Sequence, residues 1–177
     1  MTKTLVTTAL IAALGFAALA PNSASAADGT ITVTGTINSS TCKINGANSP
    51  ASIAVTLPTV STNALNAVAA TAGRTPFSIA LTGCGALTKA QTFFEPGPTI
   101  LADGNLKNNG GSATGVEVQL LDSSFTAINL FTNSASQPQF ALTSGAGTVN
   151  YYAQYYATAA AGAGNVTTSV QFTMLYQ

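Results

Sequence analysis

Asp28, Glu95, Asp103, Glu117 and Asp122 are the only carboxylate side chains in this 177-residue sequence, and the sequence has no histidine and no tryptophan. Without histidine, a Ser-His-Asp triad and a histidine-held catalytic metal are both excluded. Cleavage of a glycoside needs two carboxylates facing one cleft. The five acids are scattered, and although a fold could join Glu95 to Asp122, nothing in their spacing favours it. The glycine pair within Asn109–Ser112 lacks the lysine and following helix of a phosphate loop and reads as a turn. What remains is thiol chemistry at Cys42 and Cys84, which show no CxxC spacing for redox catalysis and cannot by themselves build a zinc site. No catalysis, cofactor or metal is expected.

The cysteines acquire a role from the start of the chain. Lys3 opens a short basic segment, Leu5 to Ala20 is an uncharged run rich in Ala and Leu, and Pro21 precedes Ala24-Ser25-Ala26. Residues 1–26 therefore read as a secretory signal cleaved before Ala27, leaving a protein outside the cytoplasm with no inserted segment. In that setting an even pair of cysteines forms one structural disulfide, Cys42 to Cys84. It closes a loop of about 43 residues and is worth on the order of 4 kcal/mol on the chain-entropy model. The remaining length, about 150 residues, suits one domain. Five basic residues balance five acidic ones, so there is no electrostatic footprint for nucleic acid or an anionic membrane.

The elements that carry these residues read as short strands separated by Gly, Asn, Ser and Pro. Side chains alternate at Ile53, Val55 and Leu57, at Phe77, Ile79 and Leu81, and at Val116, Val118 and Leu120. They alternate again at Val149, Tyr151, Ala153, Tyr155 and Ala157, with Tyr152 and Tyr156 opposite; these tyrosines are read as packing residues. Ser61–Gly73 has room for one helical turn, with Leu65 and Val68 three apart, and Asp103–Ser112 reads as a turn-rich connection. Ala159–Gly164 is a small-residue hinge. Beyond it, Val166, Thr168, Val170, Phe172, Met174 and Tyr176 form one face of a final strand. The sum is an all-β sandwich with Greek-key connections. Ile31, Val33, Gly35 and Ile37 repeat the alternation near the other end, which suggests that this segment of one copy completes the C-terminal strand of another.

Several segments together carry a resemblance. TGTINSSTC, a second cysteine after an apolar strand, GVEVQLLD, a Tyr/Ala-rich strand ending YYAT, Gly164 fourteenth from the end and Tyr176 second from the end resemble the type 1 class of chaperone-usher pilins. DGTITVTGTI, NAL, AGRTPF and FFEPGP at Phe93–Pro98 are most similar to the major subunits of Bordetella-type serotype fimbriae.

The resemblance implies an incomplete immunoglobulin-like β-sandwich that lacks its last strand, with residues 27–37 as an N-terminal donor-strand extension and 38–177 as the pilin domain. The donor face is then Ile31, Val33, Gly35 and Ile37, with Ser39 as a further position. Gly164, Val166, Thr168, Val170, Phe172, Met174 and Tyr176 form the acceptor and chaperone-binding strand. A periplasmic chaperone lends a strand first, an outer-membrane usher exchanges it for the next subunit's extension, and the homopolymer stands on the surface as a fimbria supporting adhesion, with a host-surface receptor as a further partner. The alternatives are a minor or tip-adaptor pilin, or a secreted carbohydrate-binding β-sandwich. A tip adhesin would need a second domain for which this length leaves no room.

Overall fold

Alternating side chains and one cross-link organise the chain, whose computed structural model describes residues 31–35, 42–132 and 137–177. The signal segment 1–26, residues 27–30, Ile37 and Ser39 lie outside the described residues. The chain divides into two units, Met1–Ile37 and Asn38–Gln177. In the first, residues 31–35 belong to no strand, and Ile31 and Val33 are 92% and 88% exposed.

Among its described residues the second unit holds eight strands: β1 Lys43–Ile44, β2 Thr71–Thr82, β3 Lys89–Phe94, β4 Leu106–Lys107, β5 Val116–Leu121, β6 Gln139–Ala141, β7 Gly147–Ala157 and β8 Phe172–Tyr176. One sheet has the order β1-β2-β7-β5-β4 and the other β6-β3-β8, with every pairing antiparallel. Mapped on an immunoglobulin constant-type sandwich, β1, β2, β7 and β5 are strands A, B, E and D, while β3 and β8 are C and F. The place of strand G, along the edge of β8 away from β3, carries no strand among the described residues. The fold is thus an incomplete immunoglobulin-like sandwich.

Packing follows from the alternation. Ile79, Leu81, Val118, Leu120, Tyr151 and Ala153 from the larger sheet meet Ala90, Phe94 and Met174 from the smaller one. Each fully buried aliphatic side chain contributes about 1.5–3 kcal/mol. Tyr151 stands at the centre, edge-on to Phe94 at 5.5 Å and tilted against Phe77 at 5.6 Å. The Cys42–Cys84 disulfide forms, with the Cα atoms 4.5 Å apart and both residues buried, so it ties the entry of β1 to the exit of β2. Asn45 prolongs the short β1 with its side-chain amide, donating to the Ser78 carbonyl and accepting from the Ala80 N–H. Pro76, which has no N–H, lies where β2 has passed beyond the reach of β1.

Several elements differ from the sequence reading, among them the short strands β1 and β6, which it did not anticipate. Ile53, Val55 and Leu57 do alternate inward, but residues 51–57 join no sheet. The turn after Ser61 is a 3₁₀ segment, Thr62–Leu65, that buries Leu65 and leaves Val68 exposed, so those two do not share a buried face. The turn-rich connection contains a strand of its own, β4. β3 was not anticipated, because its inward residues Ala90, Thr92 and Phe94 give only a weak apolar alternation.

A candidate strand-binding groove

The final strand is shorter as a ladder than its alternation suggests. Only Phe172–Tyr176 pairs with β3, yet the inside-outside pattern continues without a break from Val166 to Tyr176, with the even-numbered side chains turned inward. β3 ends at Phe94 and cannot accompany the rest.

Backbone hydrogen bonds divide this stretch by parity. Glu95 N–H donates to the Gln171 carbonyl at 2.9 Å, and Gln177 and Lys89 exchange both bonds at 3.0 Å. Odd residues are therefore the hydrogen-bonded pairs of the β3–β8 ladder, and the N–H and C=O groups of Phe172, Met174 and Tyr176 point to the other edge. Upstream, Thr99 Oγ1 donates to the Ser169 carbonyl at 2.7 Å and Asn109 N–H to the Thr167 carbonyl at 2.9 Å. Val166, Thr168 and Val170 make no backbone hydrogen bond among the described residues. One edge of residues 166–176 is thus satisfied and the other is open.

The open edge borders a groove of about 1090 Å³. Ala51–Leu57 also lines it, a segment whose residues make no backbone hydrogen bonds among the described residues and whose alternate side chains Ala51, Ile53, Val55 and Leu57 pack against the core. Its floor is the inner face of the larger sheet, with Phe77 and Ile79 of β2, Val118 and Leu120 of β5, and Ala153 and Tyr155 of β7. Among the described residues, Glu95 is the one charged group on the lining. The hydroxyl of Thr168 is buried there without a hydrogen-bond partner among the described residues, as is that of Tyr151 in the core. Burial pushes the Tyr151 phenol above its ordinary range, with the Thr92 side chain opposing it, and the Thr92 hydroxyl also lies 3.9 Å from the Met174 sulfur. Burial alone raises the Tyr176 phenol. Such a surface offers an extended peptide two unpaired backbone edges and an apolar bed, which is the chemistry of strand addition.

The four described acids do not assemble a catalytic cleft. Glu95 lies on the groove, whereas the Asp122 carboxylate accepts the N–H groups of Ser124 and Thr126 in its own turn. Among the described residues the two carboxylates that meet are Asp103 and Glu117, bridged by the Asn105 amide at 3.0 and 3.1 Å. From there a side-chain relay crosses the outer face through Gln119 and Gln154 to Arg74, which lies over the Phe125 ring. Burial, then the Asp103 side chain, raises the Glu117 carboxyl, while Asn105 opposes them. Among the described residues no group of three or more His, Cys, Asp or Glu side chains is placed to hold a metal, and no helix is long and apolar enough to cross a membrane.

Residues 57–177 match the family model of the type-1 fimbrial protein, A. The chain belongs to this family of fimbrial proteins. It is 45% identical over 168 residues to the major fimbrial subunit SMF-1 of Stenotrophomonas maltophilia (strain K279a), covering 90% of this chain and 98% of that one. It is 34% identical over 185 residues to the serotype 2 fimbrial subunit of Bordetella pertussis, covering 88% and 89%. The architecture is that of chaperone-usher pilus subunits. The P pilus rod subunit PapA aligns with a TM-score of 0.59 at 18% identity, over 77% of this chain and 99% of that one. As a fimbrial subunit the chain is a structural protein of surface pili and not an enzyme.

Within the fimbrial subunit, Val166, Thr168, Val170 and Phe172 line the groove. Met174 is buried in the core and Tyr176 half-buried against it. Gly164 sits at the head of this row, where a Cβ would come within 2.4 Å of the Ala113 nitrogen. Ile31 and Val33 are exposed, and Gly35 has open space around it. Sequence reasoning did not find that Ala51–Leu57 is unpaired or the role of Asn108, whose amide accepts the Thr167 N–H at 2.9 Å. An asparagine in a turn-rich run carries no signal that distinguishes this from an ordinary turn.

Proposed function

We propose that the fimbrial subunit polymerises by strand exchange: residues 27–37 of one copy enter the groove of another, with Ile31, Val33, Gly35 and Ile37 facing inward. The observation that carries the reading is the open backbone edge of Val166–Tyr176 beside an apolar groove, in a chain whose Ile31 and Val33 are 92% and 88% exposed. Strand addition between pilins and their chaperones is itself a standing example of this mode of recognition. Backbone bonds along the edge supply the pairing, and alternate side chains supply the register.

Before assembly a periplasmic chaperone fills the groove, and an outer-membrane usher exchanges its strand for that of the next subunit. The row from Gly164 to Tyr176 serves both partners in turn. The signal segment 1–26 takes the chain to the periplasm, and the finished fimbria supports adhesion to a host surface. A joint of this kind is held by the slowness of its opening. The test is gel electrophoresis of sheared surface material in SDS, unheated and boiled. The expected result is a ladder of regular multiples that collapses to one band of about 15 kDa only on boiling. A single band in both lanes refutes strand exchange.

A further inference from the structure

We propose that Asn108 is a positioning residue of the groove, through which the loop after β4 sets the place of the rim at Val166; the inference rests on the strand-exchange reading above. Residues 165–169 run past the end of β3 and pair with no strand among the described residues. An extended stretch without a neighbour samples many conformations, and an incoming strand would have to order it on arrival.

The loop Asn108–Ala113 takes the place of the absent neighbour. Asn108 Oδ1 accepts the Thr167 N–H at 2.9 Å and the Gly111 N–H at 3.1 Å. Its Nδ2 donates to the carbonyls of Ala113 at 3.0 Å and Asn165 at 3.2 Å. Two donors and two acceptor lone pairs are all that a side-chain amide possesses, so every hydrogen-bonding position is used. Ala113 N–H adds a bond to the Asn165 carbonyl at 3.0 Å, and Asn165 N–H donates to Ser112 Oγ at 3.2 Å. The loop closes this tightly because Gly111 has no side chain: a Cβ there would stand 1.9 Å from the Asn165 oxygen.

Every one of these bonds to the rim holds residue 165 or 167, leaving the backbone of Val166 between them turned to the groove. Val166 also packs against both apolar clusters of the sandwich, so moving it disturbs that end of the groove. The amide is residue-specific. Aspartate keeps the two acceptor bonds and loses both donors, and alanine loses all four.

The experiment uses the full mature chain, freshly refolded, and a fluorescent synthetic peptide spanning Ala27–Ser40. The rate at which an SDS-resistant labelled band forms is measured for the wild type, Asn108→Ala, Asn108→Asp, Val166→Ala and the Asn108→Asp/Val166→Ala pair. Asn108→Ala is expected to slow capture by about tenfold, and Asn108→Asp by at least as much, because its second carboxylate oxygen faces the Ala113 and Asn165 carbonyls. Val166→Ala slows the wild type and adds little on top of Asn108→Asp, because both act at one end of the groove. Wild-type rates for both Asn108 variants, or full additivity with Val166→Ala, overturn the assignment, and the aspartate variant decides it if the alanine variant does not fold. A wild-type chain that takes up no peptide refutes strand exchange itself, a failure visible before any variant is made.

Discussion

Replacing Ile31 and Val33 by alanine separates the stability of a subunit from that of the joint between subunits. In the free chain these side chains are 92% and 88% exposed, so their truncation removes almost no buried area from the fold. The melting transition of the monomer should stay within about 0.5 kcal/mol of the wild type. In the joint they enter the apolar groove. Ile→Ala deletes three carbons and Val→Ala two, and at roughly 0.8 kcal/mol per buried CH₂ the double variant loses about 4 kcal/mol. At 1.4 kcal/mol per decade that is nearly a thousandfold in the equilibrium of a joint, and the share falling on the opening rate is larger the later these contacts form. The assay is the temperature at which the SDS-resistant ladder collapses, together with the rate of that collapse at one fixed temperature. The variant should lose its ladder well below the boiling required by the wild type. An unchanged ladder with an unchanged monomer melt would show that Ile31 and Val33 are not buried in the joint, and would refute the donor assignment.

Two further outcomes concern the fold. Because burial and Asp103 hold the Glu117 carboxyl above its ordinary range, the folded chain keeps that proton to higher pH than the unfolded chain. The resulting stabilisation is full below the unfolded pKa and is lost as pH rises through the folded one. Glu117→Gln should therefore raise stability at neutral pH, by less than about 1 kcal/mol since the site is partly solvated, and flatten the loss above the ordinary carboxylate range in urea titrations at several pH values. The paired Cys42→Ser and Cys84→Ser substitutions should cost about 4 kcal/mol, seen in calorimetry as a lower melting temperature that no longer responds to reductant.

What could be read in advance was whatever depends on side-chain alternation alone. The inward rows of β2, β5 and β7 were visible because Phe77, Ile79, Val118, Leu120 and Tyr151 are large and apolar, and the period of two needs no partner to be recognised. The inward row from Val166 to Tyr176 was visible for the same reason. β3 was not, because Ala90 and Thr92 bury well while looking neutral in sequence. Alternation also does not report pairing: Ile53, Val55 and Leu57 have the pattern of a strand and belong to none.

The sequence by itself determined the all-β class, the exclusion of histidine-based catalysis and which side chains of the last segment turn inward, since composition and periodicity are local properties. Only the tertiary structure decided that the even-numbered backbone groups of that segment lack partners among the described residues, and that Ala51–Leu57 lines the same groove. It also decided that Asn108 clasps the rim. Whether a backbone hydrogen bond is made depends on what the fold places beside it, and between Asn108 and Thr167 the chain travels 59 positions before that is settled.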